Sequence, residues 1–292
     1  MVAESPRVFC IIVNWNGWAD TLRCLESVNT NLYDNVSLLL VDNGSTDDSV
    51  SRIRSAFPDL EIIESKVNLG FGSGNNLGIR YALESGANYV WLLNNDTIVQ
   101  PNTLAELVSH AELHPELGEI GSVLYYAQDP SRIQAWGGGK VNLWTGTSRH
   151  YHHPVKIEKL DFLTAASVLI PMEVLRKVGL FDEGYFMYWE DTDLSFRIKA
   201  AGWQLGVAPD AKLLHKEGTS TGATNPAFDR YVTVYGIKFA LRYAPFPLVP
   251  IFMIIVARAI NRFRRGEWKR GWAILTVIMS SALKITEQSK QE

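Results

Sequence analysis

Four short apolar runs, at residues 8–13, 36–41, 60–63 and 89–93, are each followed by a segment with helical periodicity, at 19–29, 47–57, 74–85 and 101–114. Apolar runs this short, without polar alternation, suit strands buried on both faces, and the longer periodic segments suit helices covering them. Local punctuation agrees, because Ser45 or Thr46 stands where a helix N-cap belongs and Pro101 where a first turn tolerates proline. Strand and helix repeating at this spacing predict a parallel, right-handed, doubly wound sheet. The carboxyl ends of such strands share one rim, and ligands bind there. That rim carries Asn14, residues 42–45, residues 68–74 and residues 94–96. From about residue 120 the strands shorten, Gly137, Gly138 and Gly139 interrupt them, and no order is legible between 125 and 159.

With 47% hydrophobic and 20% charged residues, the 292-residue chain is globular, with one large or two modest cores. Cys10 and Cys24 belong to no CxxC or Cys/His spacing, so a reducing compartment and no disulfide are expected. The N-terminus has no basic region followed by a long apolar one, so no secretion signal is expected. The net charge of -3 hides an asymmetry: residues 1–229 hold 17 Lys+Arg against 28 Asp+Glu, whereas residues 230–292 hold 11 against 3. The basic tail contains two uncharged apolar stretches, 243–257 and 271–283, separated by Arg258, Arg262, Arg264, Arg265, Lys269 and Arg270. Each is shorter than the roughly 20 apolar residues that a spanning helix needs. With Trp268 and Trp272 beside the basic cluster, they suit an interfacial contact with anionic lipid. The alternative is a helical hairpin packed on the body or on a second subunit of a homo-oligomer. Nucleic acid is not expected as a partner, since the tail carries no nucleic-acid module signature.

The rim clusters have chemical and local readings side by side. Asp42 and Asn43 can pair with a nucleobase, or form an Asx turn into the next helix. Residues 68–76, with Asn68, Gly70, Gly72 and Asn75, resemble an anion-binding loop at a helix N-terminus. Their spacing is neither GxGxxG nor a P-loop. Asp96, after Asn94 and Asn95, can hold a divalent cation while phosphate oxygens complete the shell, or can satisfy backbone groups at the strand end. Glu190, Asp191 and Asp193 open a helix, where negative charge is stabilising in itself. The bulky residues 186–189 before them can also raise a carboxylate toward the pKa that a general base needs. His150, His152 and His153 lie in a loop without zinc spacing, whereas His215 ends a short strand, 211–214, beside a polar loop.

Five motifs together, VNWNG at 13–17, DNGSTDDS at 42–49, NLGFGSGNN at 68–76, LLNNDT at 92–97 and FDEGYFMYWEDTDLSFRIKAAGW at 181–203, resemble the inverting family 2 glycosyltransferases over about residues 7–220. The resemblance implies an α/β GT-A fold, a Rossmann-like and mostly parallel sheet flanked by helices, with a C-terminal helical tail. A glycosyltransferase domain would span 1–229, with a nucleotide half to about 118 and an acceptor half from 119, and 230–292 would form the tail. It further implies a nucleotide-sugar site at Asn14, Asn16, Asp42, Asn43, Ser45, Asn68, Gly70, Gly72, Asn75, Asn94 and Asn95, with Asp42 on the base. Asn94–Asp96 stands where the family has its DxD motif, with asparagine in the first position. Asp96 and His215 would then hold Mg2+ or Mn2+, and Asp191, beside Glu190, would be the base. Thr164, Ala165 and Trp189 would line the donor sugar or acceptor, and residues 218–220 would close over the nucleotide. Within the family the motifs look most like bacterial rhamnosyltransferases, implying a dTDP- or UDP-sugar donor. They also imply a glycan or polyprenyl-diphosphate-linked acceptor and a peripheral place on the cytoplasmic face of the membrane. A nucleotidyltransferase would need a basic loop where Asn14 to Gly17 stands, and a non-catalytic binder would tolerate loss of Glu190 and Asp191.

Overall fold

The computed structural model describes residues 5–216 and 226–276. The first strands and helices alternate as the apolar runs predict: β1 (Val8–Asn14), α1 (Trp18–Asn29), β2 (Val36–Asp42), α2 (Ser49–Ala56), β3 (Glu61–Glu64), α3 (Phe71–Glu84) and β4 (Tyr89–Asn94). A short β5 (Thr97–Val99) and α4 (Thr103–Leu113) follow. The second half contains β6 (Leu117–Tyr126), β7 (Asp129–Trp136), β8 (Gly138–Asn142), β9 (Thr147–His150), β10 (Phe162–Leu163), β11 (Ser167–Pro171), α5 (Met172–Val178), α6 (Glu190–Ala200) and β12 (Gln204–His215). The stretch without legible order, 125–159, is mainly the hairpin partner β7 and strands β8 and β9, which β10 joins in a three-stranded sheet ordered β10-β8-β9.

Among the described residues the main sheet has nine strands, in the order β3-β2-β1-β4-β11-β6-β12-β5 with β7 paired to β6. Strands β3, β2, β1 and β4 are parallel, and β11 enters antiparallel between β4 and β6. The sheet therefore continues across the two expected halves without a break. Period-two alternation divides its core: Val8, Cys10 and Ile12 join Cys24, Leu25, Ile53 and Leu104 on one face. Phe9 and Ile11 join Ile79, Val174, Leu194 and Ile198 on the other. Both cysteines are buried free thiols.

Several boundaries differ from those predicted, each for a local reason. Helix α2 begins only at Ser49, because Ser45 is engaged by Asp42 rather than capping. Helix α3 begins at Phe71, so Gly72 and Gly74 lie inside it. Helix α4 begins after Pro101, and β12 is a long strand with an irregularity between Val207 and Lys212.

Two compact units make up the chain. The first comprises residues 1–140, 149–186 and 190–220, and the second comprises residues 141–148, 187–189 and 221 onward. The second unit holds α7 (Pro226–Tyr243), α8 (Leu248–Arg264) and a helical stretch at 268–276. Its centre is Asp229, fully buried, which accepts from Arg258 at 3.1 Å, Arg262 at 2.9 Å and Arg270 at 2.5 Å. Half of the basic cluster assigned to lipid thus turns inward, because a buried carboxylate needs cationic partners. Arg264, Arg265 and Lys269 remain exposed. Among the described residues no helix is long and apolar enough to cross a membrane. The second apolar stretch runs past Thr276, beyond the described residues, as does the loop at 218–220.

Candidate active site

Parallel register brings the strand ends together: Asn14 lies opposite Asp42, and Val13 opposite Asn94. Asn14 and Asp42 are both buried, at 0% and 3% exposure, so their polar atoms must be satisfied internally. Asn14 Nδ2 donates to Asp42 Oδ1 at 2.8 Å, and its Oδ1 accepts from Thr21 at 2.8 Å. Ser45 donates its hydroxyl to Asp42 Oδ1 at 2.6 Å and its backbone N–H to Oδ2 at 2.9 Å. The same hydroxyl accepts the backbone N–H of Asn16 at 2.9 Å, and Asn16 Oδ1 accepts from Thr46 N at 2.8 Å. Asn16 holds this turn at φ 50°, a conformation that asparagine tolerates. The result is a rigid carboxylate-centred rim joining the ends of β1 and β2.

The glycine-rich cluster departs from the anion loop expected of it. Asn43 donates to Asn68 Oδ1 at 3.1 Å and to the Gly70 carbonyl at 3.0 Å, and accepts from Leu69 N–H at 3.1 Å. The N–H of Gly70 is taken by Asn68 and that of Phe71 by the Phe186 carbonyl, so these amides face protein acceptors. Gly70 has φ +89°, and a Cβ there would meet Phe186 O at 2.2 Å; only glycine fits. Gly72 lies against Phe181, and Asn75, 2% exposed, bonds back to the Phe71 carbonyl. These residues shape the floor of the rim through packing, which glycine spacing alone does not distinguish from phosphate binding.

Beyond β4 the chain turns sharply into β5. Asn95 donates to Thr21 at 2.9 Å, so it braces α1. Asn94 Oδ1 is buried and has no hydrogen-bond partner among the described residues, an acceptor that calls for a ligand atom. Asp96 Oδ1 lies 3.2 Å from His215 Nε2, and both side chains are largely buried. The pairing of β12 with β5, His215 opposite Thr97, brings this histidine to the rim from a site 119 residues away in sequence. Among the described residues no group of three or more His, Cys, Asp or Glu could hold a metal by itself. The adjacent carboxylate oxygen of Asp96 and imidazole nitrogen of His215 nevertheless suit two ligands of a divalent cation whose remaining ligands are phosphate and water. Lys216 follows at once, paired with Asp20 at 3.2 Å.

The acids of α6 play unequal parts. Asp193 is fully buried in an ion pair with Arg197 at 2.8 Å, and Arg197 also caps the Val178 and Leu180 carbonyls, so that acid anchors the helix. Asp191 accepts from Thr192 N–H at 2.6 Å and Thr192 Oγ1 at 3.1 Å, and the backbone N–H of Ala165 faces it. Burial raises its pKa despite those donors. Glu190, 5% exposed with Oε2 unpartnered among the described residues, is pushed well up by burial and then by the charge of Asp191. Tyr188 and Trp189, immediately before this pair, both have φ near +70°, which costs about 1–2 kcal/mol each for a residue with a side chain.

Thr164 and His215 line one cavity of about 120 Å³ together with Gln134, His150 and His152. Trp189 belongs to the second unit and is 7% exposed, its ring packed on Phe239 at 4.8 Å. The sugar contact expected of it is replaced by core packing, which an aromatic residue beside an acidic pair does not reveal. Two residues escaped the sequence. Glu119 on β6 is 1% exposed, accepts from Ser195 at 2.6 Å and is pushed up to about 8 by burial, with Asp191 adding to the shift. Gln134 on β7 accepts from His215. An acid inside an apolar strand is the signal that could have found Glu119; Gln134 offered none.

A Rossmann-like parallel half continued by mixed strands, with an Asn-Asn-Asp turn at the rim and a buried acid pair opening a helix, defines the GT-A class of sugar-transferring enzymes. A mannosyltransferase from Pyrobaculum calidifontis, solved with GDP-Man and Mn2+, shares this fold with TM-score 0.61 over 98% of this chain and 81% of that one, at 19% identity. The protein is a glycosyltransferase of glycosyl transferase family 2, whose family model matches residues 9–179. It is 30% identical over 225 residues to the N-acetylglucosaminyl-diphospho-decaprenol L-rhamnosyltransferase of Mycobacterium tuberculosis, covering 68% of this chain and 73% of that one. It is 23% identical to the dTDP-rhamnosyl transferase RfbF of Shigella flexneri, covering 81% and 75%.

Proposed function

We propose that this glycosyltransferase moves L-rhamnose from dTDP-rhamnose to a hydroxyl of a polyprenyl-diphosphate-linked glycan, with inversion at the anomeric carbon. The names of the two rhamnosyltransferase relatives support the donor, and the decaprenol-linked substrate in one of those names supports the acceptor. The observation that carries the mechanism is Asp191, a carboxylate oriented by Thr192 and Ala165 and raised by burial toward the range of a general base.

Asp191 removes the acceptor hydroxyl proton as that oxygen attacks the anomeric carbon. The bond from carbon to the diphosphate breaks with its electron pair on the departing nucleoside diphosphate, and Asp191 returns the proton to solvent. Burial, and then the charge of Asp191, pushes the pKa of Glu190 well up, which disfavours a second full charge beside the base. Asn14, Asp42 and Ser45 form a prebuilt edge for the nucleoside. Asp96, His215 and the Asn94 oxygen would hold Mg2+ or Mn2+, whose charge stabilises the leaving diphosphate when bound.

The tail reading is narrowed to one face of α8. Leu248, Val249, Phe252, Met253 and Ile260 are exposed along it, Leu248 at 79% and Phe252 at 62%; Arg264 and Arg265 stand at its end and Lys269 in the helical stretch that follows. A helix with this pattern suits the interface of an anionic membrane, consistent with a lipid-linked acceptor made at the cytoplasmic surface.

Asp191→Asn tests the mechanism, since it keeps size and hydrogen bonding while removing the base. Transfer should fall by about 10²- to 10⁴-fold, while dTDP-sugar binding measured by calorimetry stays near wild type. Turnover unchanged in that variant, or a product with retained configuration by NMR, would refute the mechanism.

A further inference from the structure

Gln134 occupies an irregular position in the hairpin of β6 and β7. Leu124 pairs with Ala135 and Tyr125 with Ile133, so Gln134 is the extra residue of a β-bulge. Bulges beside active sites re-aim one side chain out of the regular alternation. Here the bulge directs a 93%-buried carboxamide at the imidazole beside Asp96: Gln134 Oε1 lies 2.7 Å from His215 Nδ1.

With its oxygen toward the ring the amide only accepts, so in this orientation Nδ1 carries the hydrogen. In the neutral ring Nε2 is then bare, and it faces Asp96 Oδ1 at 3.2 Å. Two acceptors at that distance suit a cation shared between them, whereas a ring carrying hydrogen on both nitrogens would donate to Asp96 directly. The opposite amide orientation would place N–H on Nδ1, move the ring hydrogen to Nε2 and let His215 donate to Asp96, closing the site to a metal. The Gln134 amide nitrogen has no partner among the described residues, so no other protein contact at its far end decides between the two orientations.

We propose that Gln134 is a positioning residue that selects the Nδ1–H tautomer of His215 and so presents Nε2 to the divalent cation. The inference rests on the metal reading of Asp96 and His215. Partners that hold the remote nitrogen of a ligating histidine typically change metal affinity by about 10–100-fold when removed. Gln134→Leu removes the acceptor, whereas Gln134→Glu retains an oxygen that accepts from Nδ1–H.

Mn2+ affinity should be measured by electron paramagnetic resonance on the full chain with dTDP present, for wild type, both Gln134 variants and His215→Ala. Gln134→Leu should weaken Mn2+ by about 10–100-fold, Gln134→Glu should stay within a few-fold of wild type, and dTDP affinity in EDTA should be unchanged in both. Unaltered Mn2+ affinity in His215→Ala would overturn the metal reading itself. Loss in His215→Ala without loss in Gln134→Leu would overturn the role of Gln134 alone. Should Gln134→Leu fail to fold, nitrogen-15 NMR of the wild type loaded with Mg2+ and dTDP decides: hydrogen on Nδ1 of His215 upholds the inference, and hydrogen on Nε2 overturns it.

Discussion

Asp191 does not titrate alone. Its charge raises the pKa of Glu190 and also that of Glu119 on β6. Glu119 is pushed from 4.5 up to about 8 chiefly by burial, so the folded protein binds this proton more tightly than the unfolded chain does. Folding stability from this group is complete below the unfolded value and is lost as pH rises toward about 8. Glu119→Gln keeps an acceptor for Ser195 and removes the ionisation. Thermal unfolding of the two proteins should coincide most closely below pH 4.5 and separate in favour of the variant as pH rises to about 8; parallel curves would show that Glu119 is not buried with its proton. At this scale the placement of Asp42, Asp96 and Asp191 was legible, because each lies at the end of an apolar run or in the first turn of a helix. Gln134 and the inert role of Asp193 were not, since both depend on which partner the fold supplies.

At the scale of elements, three helical segments of the second unit converge on one carboxylate. Arg258 and Arg262 from α8 and Arg270 from the following helical stretch meet the fully buried Asp229 of α7, and Glu267 pairs with Arg262 at 3.0 Å and with Arg270. Burial lowers the pKa of Arg258 while Asp229 opposes it, as expected for a desolvated cation held by its partner. Removing one partner of such a cluster leaves buried positive charge uncompensated, at about 3–5 kcal/mol. Asp229→Asn should therefore unfold the helices of the second unit selectively. Limited proteolysis should cut within 226–276 much faster in the variant, with the strands of the first unit still protected by hydrogen exchange. Equal cutting rates would show that apolar packing, such as Trp189 on Phe239, holds these helices unaided. The linear order of the tail mixed inward and outward arginines, and only helical phase separated them.

Across the whole molecule, an acidic body and a basic end divide the charge. After three arginines are spent on Asp229, the exposed cations at the end of α8 and just beyond it are Arg264, Arg265 and Lys269. Each basic group near an anionic surface contributes about 1 kcal/mol. Replacing all three by glutamine should weaken binding to phosphatidylglycerol vesicles by about 10²-fold, at 1.4 kcal/mol per tenfold. Sedimentation with such vesicles checks this, with phosphatidylcholine vesicles as the reference. Salt-independent binding that survives the triple replacement would remove the anionic membrane as the target of this face.

The alternation of strands and helices, the rim positions of Asn14, Asp42 and Asp96, and the acid pair opening α6 all followed from sequence, because short-range periodicity and strand ends are local properties of a chain. Only the tertiary structure decided the antiparallel entry of β11, the pairing that carries His215 to Asp96 and the bulge that aims Gln134. It also turned the glycines of α3 to packing and Trp189 to the core of the second unit. These depend on partners distant in sequence, whose meeting is set by sheet order and burial rather than by neighbouring residues.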